Sequence, residues 1–286
     1  MNYKTIRKKI VFLITMIFMI SCVSGCNNVT VETYENAEEF QTGNFSCVAD
    51  EVKTIEIYWR SGNINIEDCD ENNISVSESG ENLSEDEQLH YCLKDGTLEI
   101  RFAMSGEKLN ISPNNKCLQV RIPKSLDLNI HSTSADVMAE KLEHDNILIA
   151  TMSGNVEITK IVSNNADFSS NSGHIELDMI ASDKLSLSTS SGHIKCNSVQ
   201  VDTVDAKSST GDISFGNIID SNIVVKTSSG DIILSLPDEG ITVDYATDSG
   251  KLKTQQEYEK IGDLYKFGKG CANLMVQSSS GDLKIE

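Results

Sequence analysis

Gly154, Gly173, Gly192, Gly211 and Gly230 stand 19 residues apart, each inside a tag such as Ser-Ser-Gly-Asp-Ile. Counting 19 back from Gly154 reaches Ala135, in Ser134-Ala135-Asp136-Val137, a decayed copy of the tag. Gly250 follows Gly230 after 20 residues, and Gly281 follows Gly250 after 31. A fixed period of this length restricts the chain to a repeat architecture, in which each unit buries its apolar face only by stacking on its neighbours.

The apolar residues inside one period identify the unit. Two places after the glycine stand Val137, Val156, Ile175, Ile194, Ile213 and Ile232; four places after stand Ala139, Ile158, Leu177, Cys196, Phe215 and Leu234. Twelve and fourteen places after come Ile147 and Ile149, Ala166 and Phe168, Leu185 and Leu187, Val204 and Ala206, Ile223 and Val225. Polar residues separate most of them. That alternation is the period of a strand with one buried face, and no 3.6-residue period competes with it. The spacing predicts an all-β, parallel β-solenoid of 19-residue coils, two short strands to a coil, with β-rich caps at both ends. Six or seven coils at about 4.8 Å each would make a stack about 30 Å long. In this scheme glycine supplies a positive φ or the room for a sharp turn, and the flanking hydroxyls bond to turn backbone.

Both flanks read as covers for the open strand edges. Residues 46–130 hold strand-like runs, an early tag at Ser61-Gly62-Asn63-Ile64 and an acidic insertion from Glu78 to Glu87; residues 131–286 carry the repeats. Tyr258 to Gln277 is predicted to form a hairpin through Gly268-Lys269-Gly270 that returns into the last tag.

Ahead of this lies an address. Residues 1–9 are basic, and Ile10 to Ile20 form an apolar stretch that is short for a membrane span but suits a signal peptide. Val23-Ser24-Gly25-Cys26 resembles the bacterial lipobox, which implies a signal peptide over 1–25, cleavage before Cys26 and a diacylglycerol on its sulfur. Residues 26–45 are polar without a sustained period and read as a lipidated tether. The expected location is the outer face of a bacterial cytoplasmic membrane.

Six further cysteines, Cys47, Cys69, Cys92, Cys117, Cys196 and Cys271, would accompany Cys26. An even count in an exported chain permits disulfides, though Cys196 falls on a core position, so no more than one or two bridges are expected. The formal charge is −19, from 24 basic and 43 acidic residues. Without Lys4, Arg7, Lys8 and Lys9 the rest holds 20 basic against 43 acidic residues, a net of −23. Nucleic acid is excluded as a partner on these grounds, because phosphate contacts dominate such affinities.

Catalytic signatures are absent: there is no GxSxG, no HExxH and no P-loop. The position after each glycine forms an outward row of Asp136, Asn155, His174, His193, Asp212 and Asp231, the best candidate binding row. Ligands in line along a sheet do not readily close a tetrahedron, so neither a metal nor another cofactor is expected. The acidic run Glu78, Glu81, Glu85, Asp86 and Glu87 lacks calcium-loop spacing and reads as a solvated face. Trp59 reads as packed beneath a cap rather than as a sugar platform.

The repeated Ser-Gly-Asp-Ile and Ser-Gly-His-Ile tags, together with the lipobox, resemble a bacterial β-strand-repeat family of cell-envelope proteins described as "putative adhesins", a domain of unknown function. The resemblance spans roughly 46–286. It implies an all-β fold and attaches no catalytic residue to the motif. The expected role is a non-enzymatic, lipid-anchored adhesin-like or structural module with a protein or cell-wall partner. The alternative is a regulatory module of envelope-stress signalling that binds a membrane protein.

Overall fold

The computed structural model describes residues 29–109, 116–219, 221–236 and 239–286. Among them there is no α-helix; two single 3₁₀ turns, Ala37–Glu39 and Glu85–Glu87, interrupt a succession of strands. Residues 1–28, with the expected signal peptide and Cys26, lie outside the described residues.

The coils stack in register, as the 19-residue period requires. Val156 lies beside Ile175, Ile175 beside Ile194, and Ile194 beside Ile213, all on parallel strands. In the central coils the two short strands join into the 15-residue strands Val156–Ser170, Ile175–Thr189 and Ile194–Ser208. Their inward alternation slips at Ile161, Ile180 and Val199, where the chain bends, and resumes at Ala166, Leu185 and Val204. These ladders are buried along the whole stack, and each wholly buried Ile, Leu, Val or Phe contributes roughly 1.5–3 kcal/mol.

The glycine of the tag serves close approach and not backbone handedness. Gly154, Gly173, Gly192 and Gly211 have no positive φ, yet a Cβ at Gly192 would sit 1.9 Å from the Gly173 carbonyl oxygen. One coil further, a Cβ at Gly211 would sit 1.7 Å from the Gly192 carbonyl oxygen. Three residues earlier, a buried hydroxyl accepts the glycine's N–H: Thr151 from Gly154 at 2.8 Å, Ser170 from Gly173 at 2.8 Å, Thr189 from Gly192 at 3.0 Å. Thr189→Val keeps the shape and removes the acceptor, leaving a buried N–H unbonded. It should lower stability by about 1–2 kcal/mol in urea denaturation, against no change for exposed Ser191→Ala.

At both ends the coils are out of sequence order. The strand Thr97–Arg101 lies outside Thr54–Trp59, which lies beside Asp127–Ser132, so the second coil in sequence is the first in space. At the far end Ala272–Ser278 is inserted between Asn222–Thr227 and Gly240–Thr247. The glycines agree: Gly281 stacks on Gly230, and Gly250 stacks on Gly281. Gly268-Lys269-Gly270 is therefore a crossover and not a hairpin. It carries the chain from Leu264–Gly268 on one side of Gly240–Thr247 to Ala272–Ser278 on the other. The hairpin in this region pairs Glu259–Ile261 with Leu264–Gly268.

From Thr97–Arg101 to Gly240–Thr247 there are nine parallel interstrand steps, roughly 43 Å at about 4.8 Å each. The stack is longer than the repeat tags alone suggest, because coils inside 46–130 join it without a break. The sequence boundary at 130 falls inside the strand Asp127–Ser132 of this continuous sheet.

The expected tether over 26–45 is also different in kind: its described part is docked. Val29–Thr30 pairs with Lys108–Leu109, and Gln41–Thr42 pairs with His90–Lys94. Tyr34 donates through its N–H to Ser105 Oγ at 2.9 Å and through its hydroxyl to the Ala103 carbonyl at 3.3 Å. The six described cysteines are all free thiols, and Cys196 is a core residue whose thiol burial pushes well up from its ordinary value.

Candidate binding surfaces

The residues after the tag glycines form a row whose chemistry is largely committed to the scaffold. Each side chain accepts the backbone N–H of the next residue in the row. Asp136 Oδ1 takes Asn155 at 2.7 Å, Asn155 Oδ1 takes His174 at 2.9 Å, and His174 Nδ1 takes His193 at 3.0 Å. His193 Nδ1 takes Asp212 at 3.2 Å and Asp212 Oδ1 takes Asp231 at 2.8 Å. The ladder runs on through Asp282 to Lys251, following the spatial and not the sequence order of the coils. His174 and His193 lie face to face, 5.1 Å apart and 4° from parallel. Among the described residues no His, Cys, Asp and Glu side chains form a metal-holding group of three or more. His193→Asn preserves an acceptor and should leave stability unchanged. His193→Ala removes it and should lower the denaturation midpoint by the equivalent of about 1 kcal/mol.

Two other surfaces have more open chemistry. The first lies across the strands that carry the tags' buried Ile and Leu. It is a cleft of about 630 Å³ lined by Glu67, Glu140, Glu157, Glu176 and Asp178, with Lys195 as its one cation. Glu157 lies directly beside Glu176, and Glu176 beside Lys195. The in-register stacking that aligns the core also aligns these carboxylates, so the cleft carries a concentrated negative field.

The second is a cleft of about 660 Å³ between the docked segment 31–36 and the first coils. There the Arg101 guanidinium sits 3.7 Å from the Tyr58 ring and 4.8 Å from the Tyr34 ring, and His131 stacks on Tyr58 at 4.9 Å. Burial, reinforced by Glu56, raises the Tyr58 hydroxyl to about 12, and burial holds His131 below its ordinary value. Both aromatic faces of Tyr58 are thus occupied by protein, so this stack clasps the N-terminal segment and offers no platform for a sugar.

Trp59 is buried against Phe102, with Lys116 5.0 Å from its ring. The acidic run is not a uniform solvated face, because Glu78 is buried at its start. Glu78 pairs with wholly buried Lys116 at 2.7 Å and accepts the Leu89 N–H at 2.5 Å. At the other end Glu87 caps the turn begun by Ser84. Two buried polar clusters carry no sequence signature. They are Lys116 with Glu78, and His144, which bridges Asp68 at 2.9 Å and the Leu126 carbonyl at 2.8 Å. Each joins residues from separate coils.

No curated protein matches the chain. A crystal structure of a "putative adhesin" from Bacteroides fragilis covers 90% of this chain and 100% of its own, at 16% identity and a TM-score of 0.55. Another "putative adhesin", from Parabacteroides merdae, covers 90% of this chain and 98% of its own, at 16% identity and a TM-score of 0.52. At that identity the likeness shows the fold alone. The family described as Toastrack DUF4097 matches residues 52–286, the whole stack from its first coil to its last strand. By that match, and by the continuous 19-residue coil that underlies it, the chain belongs to the Toastrack DUF4097 family.

Proposed function

We propose that this protein is a non-enzymatic binding module, held by a lipid on Cys26 at the outer face of a bacterial cytoplasmic membrane, that presents its sheet faces to a protein or cell-wall partner. The observation that carries the reading is the open acidic cleft over Glu157 and Glu176, a regular sheet face whose carboxylates stack in register. Interfaces of this kind draw affinity from extended complementary contact, and the carboxylates favour a partner with basic side chains. The lipobox at Cys26 and the signal-like segment before it support the location.

Photo-cross-linking from position 197, where Asn197 lines the same cleft, on intact cells tests the proposal. A trapped protein or wall polymer is expected, and it should be lost in Glu157→Lys/Glu176→Lys. Cys26→Ala should release the protein from the membrane fraction. Turnover of a glycan by the purified protein would overturn the non-enzymatic reading. A trapped membrane protein would favour the regulatory role in envelope-stress signalling over adhesion.

A further inference from the structure

We infer that the N-terminal end of the solenoid is its membrane end, with the outermost coil and the turn at residues 103–108 nearest the lipid headgroups. This orientation rests on the reading that Cys26 carries the lipid. Only three Cα steps separate Cys26 from Val29, a span of at most about 11 Å. From Val29 onward the chain is clamped to the first coils and not free to pay out. Val29–Thr30 is paired with Lys108–Leu109, and Val31 donates to the Glu107 carbonyl at 2.8 Å. Arg60 Nη1 donates to the Thr30 carbonyl at 2.9 Å, and Tyr34 is held by Ser105, Ala103 and the Arg101 guanidinium. Acyl chains must enter the hydrocarbon region, so the residues that flank this clamp lie at headgroup depth.

The clamp, and not charge, sets which part of the stack meets the membrane. The anchor emerges close to Arg60, at the corner where the tags run along the stack. Lying flat on that corner would bring Asp136, Asp212 and Asp231 of the outward row against anionic headgroups, which repel them. The anchored end brings up exposed Lys108 and exposed Met104 (40%), but also exposed Glu85 and Asp86 of the acidic insertion, whose Asp86 carbonyl accepts the Met104 N–H, so charge favours neither face. The opposite end also exposes apolar side chains, Tyr258 (48%) and Ile261 (51%), so apolar exposure does not select an end; the short covalent span does.

Tryptophan substitutions at Met104, Ser191 and Ile261 place a reporter at the anchored end, on the tag corner and at the far end, over a constant contribution from buried Trp59. The full lipidated chain is reconstituted in vesicles of phosphatidylethanolamine and phosphatidylglycerol with brominated acyl chains. Quenching above the Trp59 background is expected for Met104→Trp alone. Inserting about fifteen Gly/Ser residues between Asn28 and Val29, a coil of roughly 22 Å, should abolish that quenching while the protein still floats with the vesicles. Quenching at position 191 or 261 equal to that at 104, or none at 104 on protein whose Cys26 acylation is confirmed by mass, would overturn the placement of the N-terminal end at the membrane. Absence of acyl mass on Cys26 would instead remove the anchor itself, and the orientation with it.

Discussion

Gly192→Ala should destabilise the protein by more than about 3 kcal/mol, or prevent folding, although it adds a single methyl group. The added carbon would lie 1.9 Å from the Gly173 carbonyl oxygen and 2.6 Å from its carbon. These are backbone atoms of a coil paired along its whole length with its neighbours, so the clash cannot be relieved by rotating a side chain. The nearest relief is to part the coils, which breaks several ladder hydrogen bonds and opens the Ile and Leu rows beneath. Ala135 shows the limit of the rule, since alanine occupies the tag position where its neighbour towards the N-terminal end is Gly62. That glycine has a φ of +87°, a different backbone path from the central tags. Urea denaturation of Gly192→Ala beside the exposed Ser191→Ala gives the comparison. A loss below about 1 kcal/mol at Gly192 would show that the coils have slack the structure does not suggest.

Lys116→Ala should lower stability by about 3–5 kcal/mol, the range for breaking one side of a buried ion pair. The Lys116 ammonium is wholly enclosed and desolvation lowers its pKa, yet Glu78 faces it at 2.7 Å and the Glu87 and Phe102 carbonyls accept its protons. Truncation leaves the Glu78 carboxylate buried beside an empty site and orphans two carbonyls. Replacing both members with apolar residues, Lys116→Met with Glu78→Leu, should recover a large part of the loss, because the unpaired charge is then gone. If the double variant is as unstable as Lys116→Ala, the damage lies in the two carbonyls and not in the charge. The pair matters because it bolts the acidic insertion onto the outermost coil, next to Trp59 and Phe102.

The repeat was legible for a physical reason. In a parallel stack every coil presents the same environment at the same phase, so the same residue types recur every 19 positions. The inward rows and the recurring glycine follow from that alone. The outward row was legible in position but not in role. Nothing in an alternation of Asp, Asn and His says that each side chain accepts the next coil's N–H, because a side chain free in solvent and one bonded along the stack suit the same short polar residues. The acidic cleft was equally hidden, since Glu67, Glu140, Glu157, Glu176 and Asp178 are unremarkable among 43 acids until stacking sets them side by side.

The sequence by itself determined the unit: its length, its strands, its buried faces and the recurrence of glycine at one phase. Those depend on contacts between equivalent positions, and a periodic chain writes such contacts into its own spacing. Only the tertiary structure decided the ends. The placing of Thr97–Arg101 outside Thr54–Trp59, the insertion of Ala272–Ser278 before Gly240–Thr247, the buried Lys116–Glu78 and His144–Asp68 pairs and the clamp on Val29–Tyr34 each join segments far apart in the chain. Terminal coils have a neighbour on one side only, so no repeated pattern constrains them, and their partners are chosen by packing and charge that no local period records.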